Sequence, residues 1–299
     1  MKLLLTLVVS SLLFIACENN REEVQPAELT AQAGQLVVNC FISPQDTMLT
    51  AKVTRSRPVL DNDPLKSVEI TNALVQLTNG TQSVTLVYNS QLQYYRASAT
   101  KMPIRANTTY TLIVHTPDGN QVTAVTNVPQ AIPLKTVRLD SALVTEADKS
   151  VQKQFSVVCT WQDAGTTTNF YQVQGNIKGV QRELPATASA VNLGVIPFIM
   201  TDNSLGLVNN KGVNALLSVS AYLWDKAGIT AINKRYRSTA VTVSLLHVNE
   251  AYYRYHEAVD RQLQASSNPF AEPVLIPSNI VGGLGCFGSY NRSSSVAKM

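Results

Sequence analysis

Ala73-Leu74-Val75-Gln76-Leu77-Thr78-Asn79-Gly80-Thr81 runs, past Gln82, into Ser83-Val84-Thr85-Leu86-Val87-Tyr88. On both sides of Asn79-Gly80 the apolar residues Val75, Leu77, Val84, Leu86 and Tyr88 recur at every second position, the period of a half-buried strand. Asn-Gly suits a type I′ turn, whose two central residues both need positive φ. The stretch therefore reads as an antiparallel β-hairpin.

The same pattern spreads outward. Tyr110, Leu112 and Val114 alternate with Thr111, Ile113 and His115, and Pro117-Asp118-Gly119-Asn120 turns the chain into a further run over 121–128. Phe155, Val157, Cys159 and Trp161 share one face, as do Tyr171, Val173 and Ile177 after the turn-rich Asp163-Ala164-Gly165, and Val241, Val243 and Leu245. Each is a strand with one side in a core and the other in water. Pro129 and Pro133 bracket a linker. A single helix is expected over 249–265: Asn249 can cap it, Tyr252, Tyr255, Val259 and Leu263 line one face, and Glu250/Arg254 and Glu257/Arg261 pair across the other before Pro269 ends it. The fold class is all-β: two β-sandwiches of immunoglobulin or transthyretin-like type, with the amphipathic helix docked on the second. The expected boundaries are 34–129 for the first sandwich, 130–290 for the second with the helix and the Gly-rich C-terminal segment, and 291–299 for a tail.

The N-terminus is of another kind. Lys2 precedes the apolar run Leu3-Leu4-Leu5-Thr6-Leu7-Val8-Val9-Ser10-Ser11-Leu12-Leu13-Phe14-Ile15-Ala16, and Cys17 follows. One cation, a short apolar stretch and a small residue before the cut make residues 1–16 a signal peptide; the run is too short to span a bilayer. Ile15-Ala16-Cys17 resembles a lipobox, with Phe14 where Leu is usual, so Cys17 is the expected lipid attachment residue. The polar stretch over 17–33 reads as anchor and tether. The chain is thus expected in the cell envelope, held to a membrane through Cys17, with palmitate among its acyl chains.

Composition excludes several function classes. The signal takes only Lys2 from the 24 basic and 20 acidic side chains, leaving a net charge near +3. With no run of five or more Lys or Arg, nucleic acid is not an expected partner. Beyond Cys17 there are Cys40, Cys159 and Cys286, an odd number without C-x-x-C spacing; the first two lie in apolar runs, so all three are expected to be buried free thiols. His115, His247 and His256 form no ligand motif, and exposed or capping roles suit them better than catalysis, although His256 could pair with Asp260 four residues on. Gly283-Leu284-Gly285-Cys286-Phe287-Gly288 spells G-x-G-x-x-G, but only eleven residues follow, too few for the helix and acidic residue of a dinucleotide site; the glycines suit a turn or close packing. No G-x-S-x-G elbow occurs. No catalytic residue, metal site or cofactor is assigned. Tyr94-Tyr95 and Tyr252-Tyr253 could stack on a ligand, yet one of each pair belongs in a core by periodicity. Asp46-Thr47-Met48 and Asp140-Ser141-Ala142 are short candidate glycosylation motifs.

Several segments together resemble a known family. Leu36-Val37-Val38, Val53-Thr54-Arg55-Ser56-Arg57-Pro58, the hairpin and Tyr110-Thr111-Leu112 are followed by Asn249-Glu250-Ala251-Tyr252-Tyr253-Arg254-Tyr255 and Asp260-Arg261-Gln262. Asn268-Pro269-Phe270-Ala271-Glu272-Pro273 and Ile276-Pro277-Ser278-Asn279-Ile280-Val281-Gly282-Gly283-Leu284-Gly285 complete the order. The chain resembles the DUF4249 lipoproteins of Bacteroidota, and its N-terminal half also resembles the transthyretin-like, carboxypeptidase-regulatory-type sandwich. The resemblance implies an outer-membrane lipoprotein associated with TonB-dependent receptors and carries no catalytic residues. Three functional expectations follow: a non-catalytic binding or accessory module for such a receptor or its cargo, a structural or adhesive surface protein, and a surface hydrolase, in that order.

Overall fold

The computed structural model describes residues 34–57, 68–145, 151–163, 165, 167–181, 196–197, 199–200, 205–210, 216–222, 236–265, 271–272 and 274–297. The signal, Cys17, the tether and Asn268-Pro269-Phe270 lie outside them. The first strands are β1 (Leu36–Ile42), β2 (Met48–Arg55), β3 (Leu74–Thr78), β4 (Ser83–Asn89), β5 (Tyr94–Ser98), β6 (Thr109–His115) and β7 (Gln121–Asn127). After the linker come β8 (Leu134–Thr145), β9 (Val151–Gln162), β10 (Phe170–Gln181), β11 (Ile196–Pro197), β12 (Ile199–Met200), β13 (Leu207–Asn209), β14 (Leu216–Tyr222) and β15 (Tyr236–Val248). Helix α1 (Glu250–Ala265) and the long strand β16 (Leu284–Ala297) complete the chain. The protein is all-β with one α-helix among the described residues.

The first group pairs in the order β16-β1-β2-β5-β4-β3-β6-β7. These strands roll around one core, because every second side chain is apolar: Val38, Cys40 and Ile42 from β1, Val75 and Leu77 from β3, and Tyr110, Leu112 and Val114 from β6 are all buried together with Phe287 of β16. Burying each such aliphatic side chain contributes about 1.5–3 kcal/mol. Thr123 of β7 bridges to Val281, just before β16, so the two ends of the path meet. The hairpin between β3 and β4 forms as expected, but its turn is not type I′. Thr78 pairs with Ser83, and of the turn residues Gly80 alone has positive φ, +89°. Asn79 Oδ1 instead accepts the amide hydrogens of Thr81 and Gln82, at 3.1 and 2.8 Å, which holds the turn without placing Asn79 in the left-handed region.

In the second group, β12-β14-β9-β8 form a four-stranded sheet. Its Val157, Cys159 and Trp161 share a buried cluster with Tyr171 and Val173 of β10 and Val241, Val243 and Leu245 of β15, which is a two-sheet sandwich core. The linker 129–133 is fastened to it: Asn291 Nδ2 donates to the Pro129 carbonyl at 3.0 Å, and His247 Nδ1 donates to that of Gln130 at 2.7 Å.

The strand β16 corrects two expectations. The Gly-rich segment was expected in the second sandwich, but Leu284–Ser289 lies parallel to β1, and Phe287 fills the first core. Residues 291–299 were expected to be a tail, but 291–297 pair antiparallel with β15 through Val241–His247. The run Arg292-Ser293-Ser294-Ser295 carries no apolar alternation, so its polar side chains concealed a strand whose backbone pairing needs none. One continuous strand therefore belongs to both groups.

The helix also departs from its expected docking. Tyr252 is buried, but Leu263 is 64% exposed and Tyr253, not expected on the buried face, is 7% exposed. Adjacent residues are both buried because α1 lies at the seam and not on the second sandwich alone. Tyr252 packs on Phe41 of β1 and Tyr290 of β16, while Tyr253 packs on Phe170 of β10 at 4.9 Å between ring centroids.

Candidate functional site at the helix seam

The site grows from the cap of α1. Asn249 Oδ1 accepts the Tyr252 amide hydrogen at 3.1 Å, satisfying a donor that a helix start leaves unpaired. The same oxygen accepts the Ser289 amide hydrogen at 3.0 Å, and Asn249 Nδ2 donates to Thr126 Oγ1 at 2.9 Å. One side chain thus ties the helix to β16 and β7. Gly288 lets the helix lie close: a Cβ there would meet Phe41 Cδ1 at 2.9 Å and Tyr252 Cβ at 3.1 Å. The close-packing role expected of the glycines is what this contact requires.

A second wall comes from the segment 274–279. The Val274 amide donates to Gln262 Oε1 at 3.1 Å near the end of α1, and the segment then returns along the helix toward its start. Asn279 fixes it there by mimicking a strand neighbour: its Nδ2 donates to the Phe287 carbonyl and its Oδ1 accepts the Phe287 amide, both at 2.9 Å. Between helix and segment lies a groove of about 250 Å³ lined by Glu250, Ala251, Arg254, Pro277, Ser278, Asn279 and Cys286. Glu250 and Arg254 form the expected i,i+4 ion pair at 2.7 Å at its exposed rim.

The groove floor is chemically quiet. Cys286 Sγ donates to the Ala251 carbonyl at 3.5 Å, and burial pushes its thiol pKa up to about 12. Such a thiol stays protonated near neutral pH and is a poor nucleophile. Cys40, Cys159 and Cys286 are all buried thiols, as expected. What the groove offers a ligand is an apolar floor, a Ser–Asn wall and a paired charge at the mouth, which is binding chemistry. A second groove of about 290 Å³ is lined by Gln172, Gln174, Met200 and Leu205 on the β10 side of the helix. Gln172 Oε1 accepts the Tyr252 hydroxyl at 2.7 Å, so the helix reaches both grooves.

Of the histidines, His115 at the end of β6 is exposed as expected, whereas His247 and His256 are half-buried. His256 sits among the rings of Phe41, Tyr252 and Tyr255, and burial lowers its pKa. Asp260, its expected partner, instead accepts from Gln264 Nε2 at 3.0 Å. His247 stacks on Tyr171, and burial lowers its pKa as well. Tyr95 is buried as expected of one residue in its pair. Thr47 and Ser141 of the candidate glycosylation motifs are both exposed. Sequence reasoning missed Asp163, read only as part of a turn. It is fully buried, accepting from Tyr171 Oη at 2.6 Å, the Gly165 amide at 2.7 Å and Asn169 Nδ2 at 3.0 Å. Three donors make it a structural lock on the loop after β9. Among the described residues no group of three His, Cys, Asp or Glu could hold a metal, and no helix is long and apolar enough to cross a membrane.

No curated protein matches this chain. Among solved structures, the B domain of a biofilm associated protein aligns with 88% of this chain and 86% of its own at 6% identity, with a TM-score of 0.16, too low to carry a structural argument. A family model described as a domain of unknown function matches residues 22–295, which include the described residues on both walls of the groove, and the chain belongs to that family, DUF4249.

Proposed function

We propose that this chain is an outer-membrane lipoprotein of Bacteroidota, anchored through Cys17, that acts as a non-catalytic binding or accessory module for a TonB-dependent receptor or its cargo. The groove at the seam carries the reading. It is built from Glu250, Ala251, Arg254 and Pro277–Asn279, and the latter segment is fixed by side-chain-to-backbone bonds from Asn279 to Phe287. β16 and α1 join both cores, so the groove is rigid and pre-formed, which spares a partner the cost of ordering it. The buried thiols, the two half-buried imidazoles and the locked Asp163 are engaged in packing, which supports a binding role over a hydrolytic one. A lipid anchor places such a surface at high effective concentration against other proteins of the same membrane, so weak contacts suffice. A photo-crosslinker at Arg254 in intact outer membranes tests the reading. Capture of a receptor supports it, whereas substrate turnover by the purified protein without capture replaces it with the hydrolase reading.

A further inference from the structure

The strand β8 ends its sheet. In the order β12-β14-β9-β8 it pairs with β9 on one side, and among the described residues no strand pairs with its other side. It is 12 residues long, and its outer edge presents a row of backbone donors and acceptors of the kind that takes up a further strand. The middle of that edge is open to solvent: the side chains of Arg138 and Asp140 are 70% and 50% exposed, and Ser141, Ala142, Leu143 and Thr145 are exposed too. Edge strands are ordinarily guarded by a proline, a bulge or charge that repels a second strand. The irregularity of β8 lies at its start, between Leu134 and Thr136, and no proline follows it in the strand. From Val137 onward the strand carries one charge of each sign, so a suitably placed strand is not repelled.

We propose that β8 is a self-association edge, through which two copies of this chain pair antiparallel about Leu139 and join their four-stranded sheets into one. The two charges select this partner and this register. Arg138 and Asp140 lie two residues apart on one face of the strand, with Arg138 Nη2 3.2 Å from an Asp140 carboxylate oxygen. The Ser141 amide donates to Asp140 Oδ1 at 2.9 Å and helps to hold the carboxylate in place. A twofold axis across two such strands must pass through a residue, because a one-residue slip would set side chains of opposite faces against each other. Centred on Arg138 or on Asp140, it sets like charges opposite one another. Centred on Val137 or on Ser141, it leaves both charges opposite uncharged residues. Centred on Leu139, it sets Arg138 of each copy opposite Asp140 of the other, merging two exposed ion pairs into one network of alternating charge. Val137 then faces Ser141 and Thr136 faces Ala142, pairs that meet without conflict. The contact is isologous and closes on itself, so it yields a dimer and not a filament. The proposal goes beyond the receptor reading and does not depend on it, since β8 lines no part of the seam groove.

The test uses the full chain, co-produced in two differently tagged forms and captured through one tag. The unsubstituted chain should bring down its other-tagged copy. Arg138→Asp sets carboxylates opposite one another across the axis and Asp140→Arg sets guanidinium groups opposite one another, so self-capture should fall about tenfold or more in each. Arg138→Asp in one form should nevertheless capture Asp140→Arg in the other, because mixing the two restores opposite charges across the axis. Such rescue cannot come from a repaired fold, since each single variant still lacks the pair within its own chain. The double variant Arg138→Asp/Asp140→Arg keeps a pair within each chain and across the axis, and should self-capture as the unsubstituted chain does. No self-capture by the unsubstituted chain overturns the proposal. Undiminished self-capture by both single variants overturns it as well, as the contact would then lie elsewhere. Loss of self-capture that neither the mixture nor the double variant restores overturns the register about Leu139 and the proposal with it.

Discussion

Asn249 and Ser289 hold each other twice: the Asn249 amide donates to the Ser289 carbonyl at 3.0 Å, and the Ser289 amide donates to Asn249 Oδ1 at 3.0 Å. An asparagine thus stands beside β16 as a strand neighbour would while also capping α1. Asn249→Ala should destabilise the protein by about 2–4 kcal/mol, combining a lost cap with an unsatisfied buried amide. Asn249→Asp keeps the acceptor oxygen, loses only the donor to Thr126, and should cost less. Denaturant midpoints at constant slope check the order.

The glycines of β16 should rank by what a Cβ would meet. Gly285 has φ +110° and a Cβ would lie 2.2 Å from the Val38 carbonyl oxygen, a backbone atom with no room to yield. At Gly288 the obstacles are the rings and side chains of Phe41 and Tyr252. Gly288→Ala should cost about 1–3 kcal/mol by overpacking, and Gly285→Ala should cost more because strain is added to the clash. Equal midpoints for the two variants would contradict this account of the close approach between β1 and β16.

The helix face gives a direct contrast. Tyr252→Ala removes a ring packed on Phe41 and Tyr290 and should cost about 3–5 kcal/mol, as for a buried aromatic. Leu263→Ala, at a solvent-exposed position, should stay within about 0.5 kcal/mol. Thermal or chemical unfolding of the two variants separates them. A larger effect at Leu263 would restore the docking face read from periodicity.

Acidification has a defined sign. Burial lowers the pKa of His247 and His256 below the ordinary 6.5, so the unfolded chain binds protons first as pH falls. Their contribution to stability is present above about pH 6.5 and is lost as pH falls through their folded values. Stability should therefore decline from pH 6.5 toward 5.5, and His256→Phe, which keeps a ring in the cluster, should flatten that decline. At the alkaline end, the raised Cys286 pKa implies loss of stability between about pH 9 and 12, with Cys286→Ala less sensitive. Unfolding midpoints across both windows would show either trend missing if the burial is misassigned.

Much of this fold was legible because core strands announce themselves. Val75, Leu77, Tyr110, Leu112, Val241 and Val243 alternate with polar residues, and each is buried. What escaped reading was pairing decided by backbone alone. Arg292–Val296 has no alternating apolar face, yet its backbone completes the β15 ladder, and no local signal distinguishes such a strand from a tail. Tyr253 was missed because a single-period helix face presumes one neighbour, whereas α1 packs between two cores. The groove was legible only in part. Its wall segments stood out as motifs, but their apposition depends on Asn279 binding the backbone of Phe287, a contact between residues whose spacing carries no pattern. Cys17, read most directly from the sequence, lies outside the described residues.

The central claim is that the seam groove serves a receptor-associated, lipid-anchored binding module. The most direct measurement is photo-crosslinking from Arg254 in intact outer membranes, with Leu143 as the control position and mass spectrometry of the adducts. The account predicts a TonB-dependent receptor captured from Arg254 and not from Leu143, with capture lost on Cys17→Ser when the chain leaves the membrane. Capture of no receptor from Arg254 in membranes that retain the protein, together with turnover of a substrate by the purified chain, would contradict it.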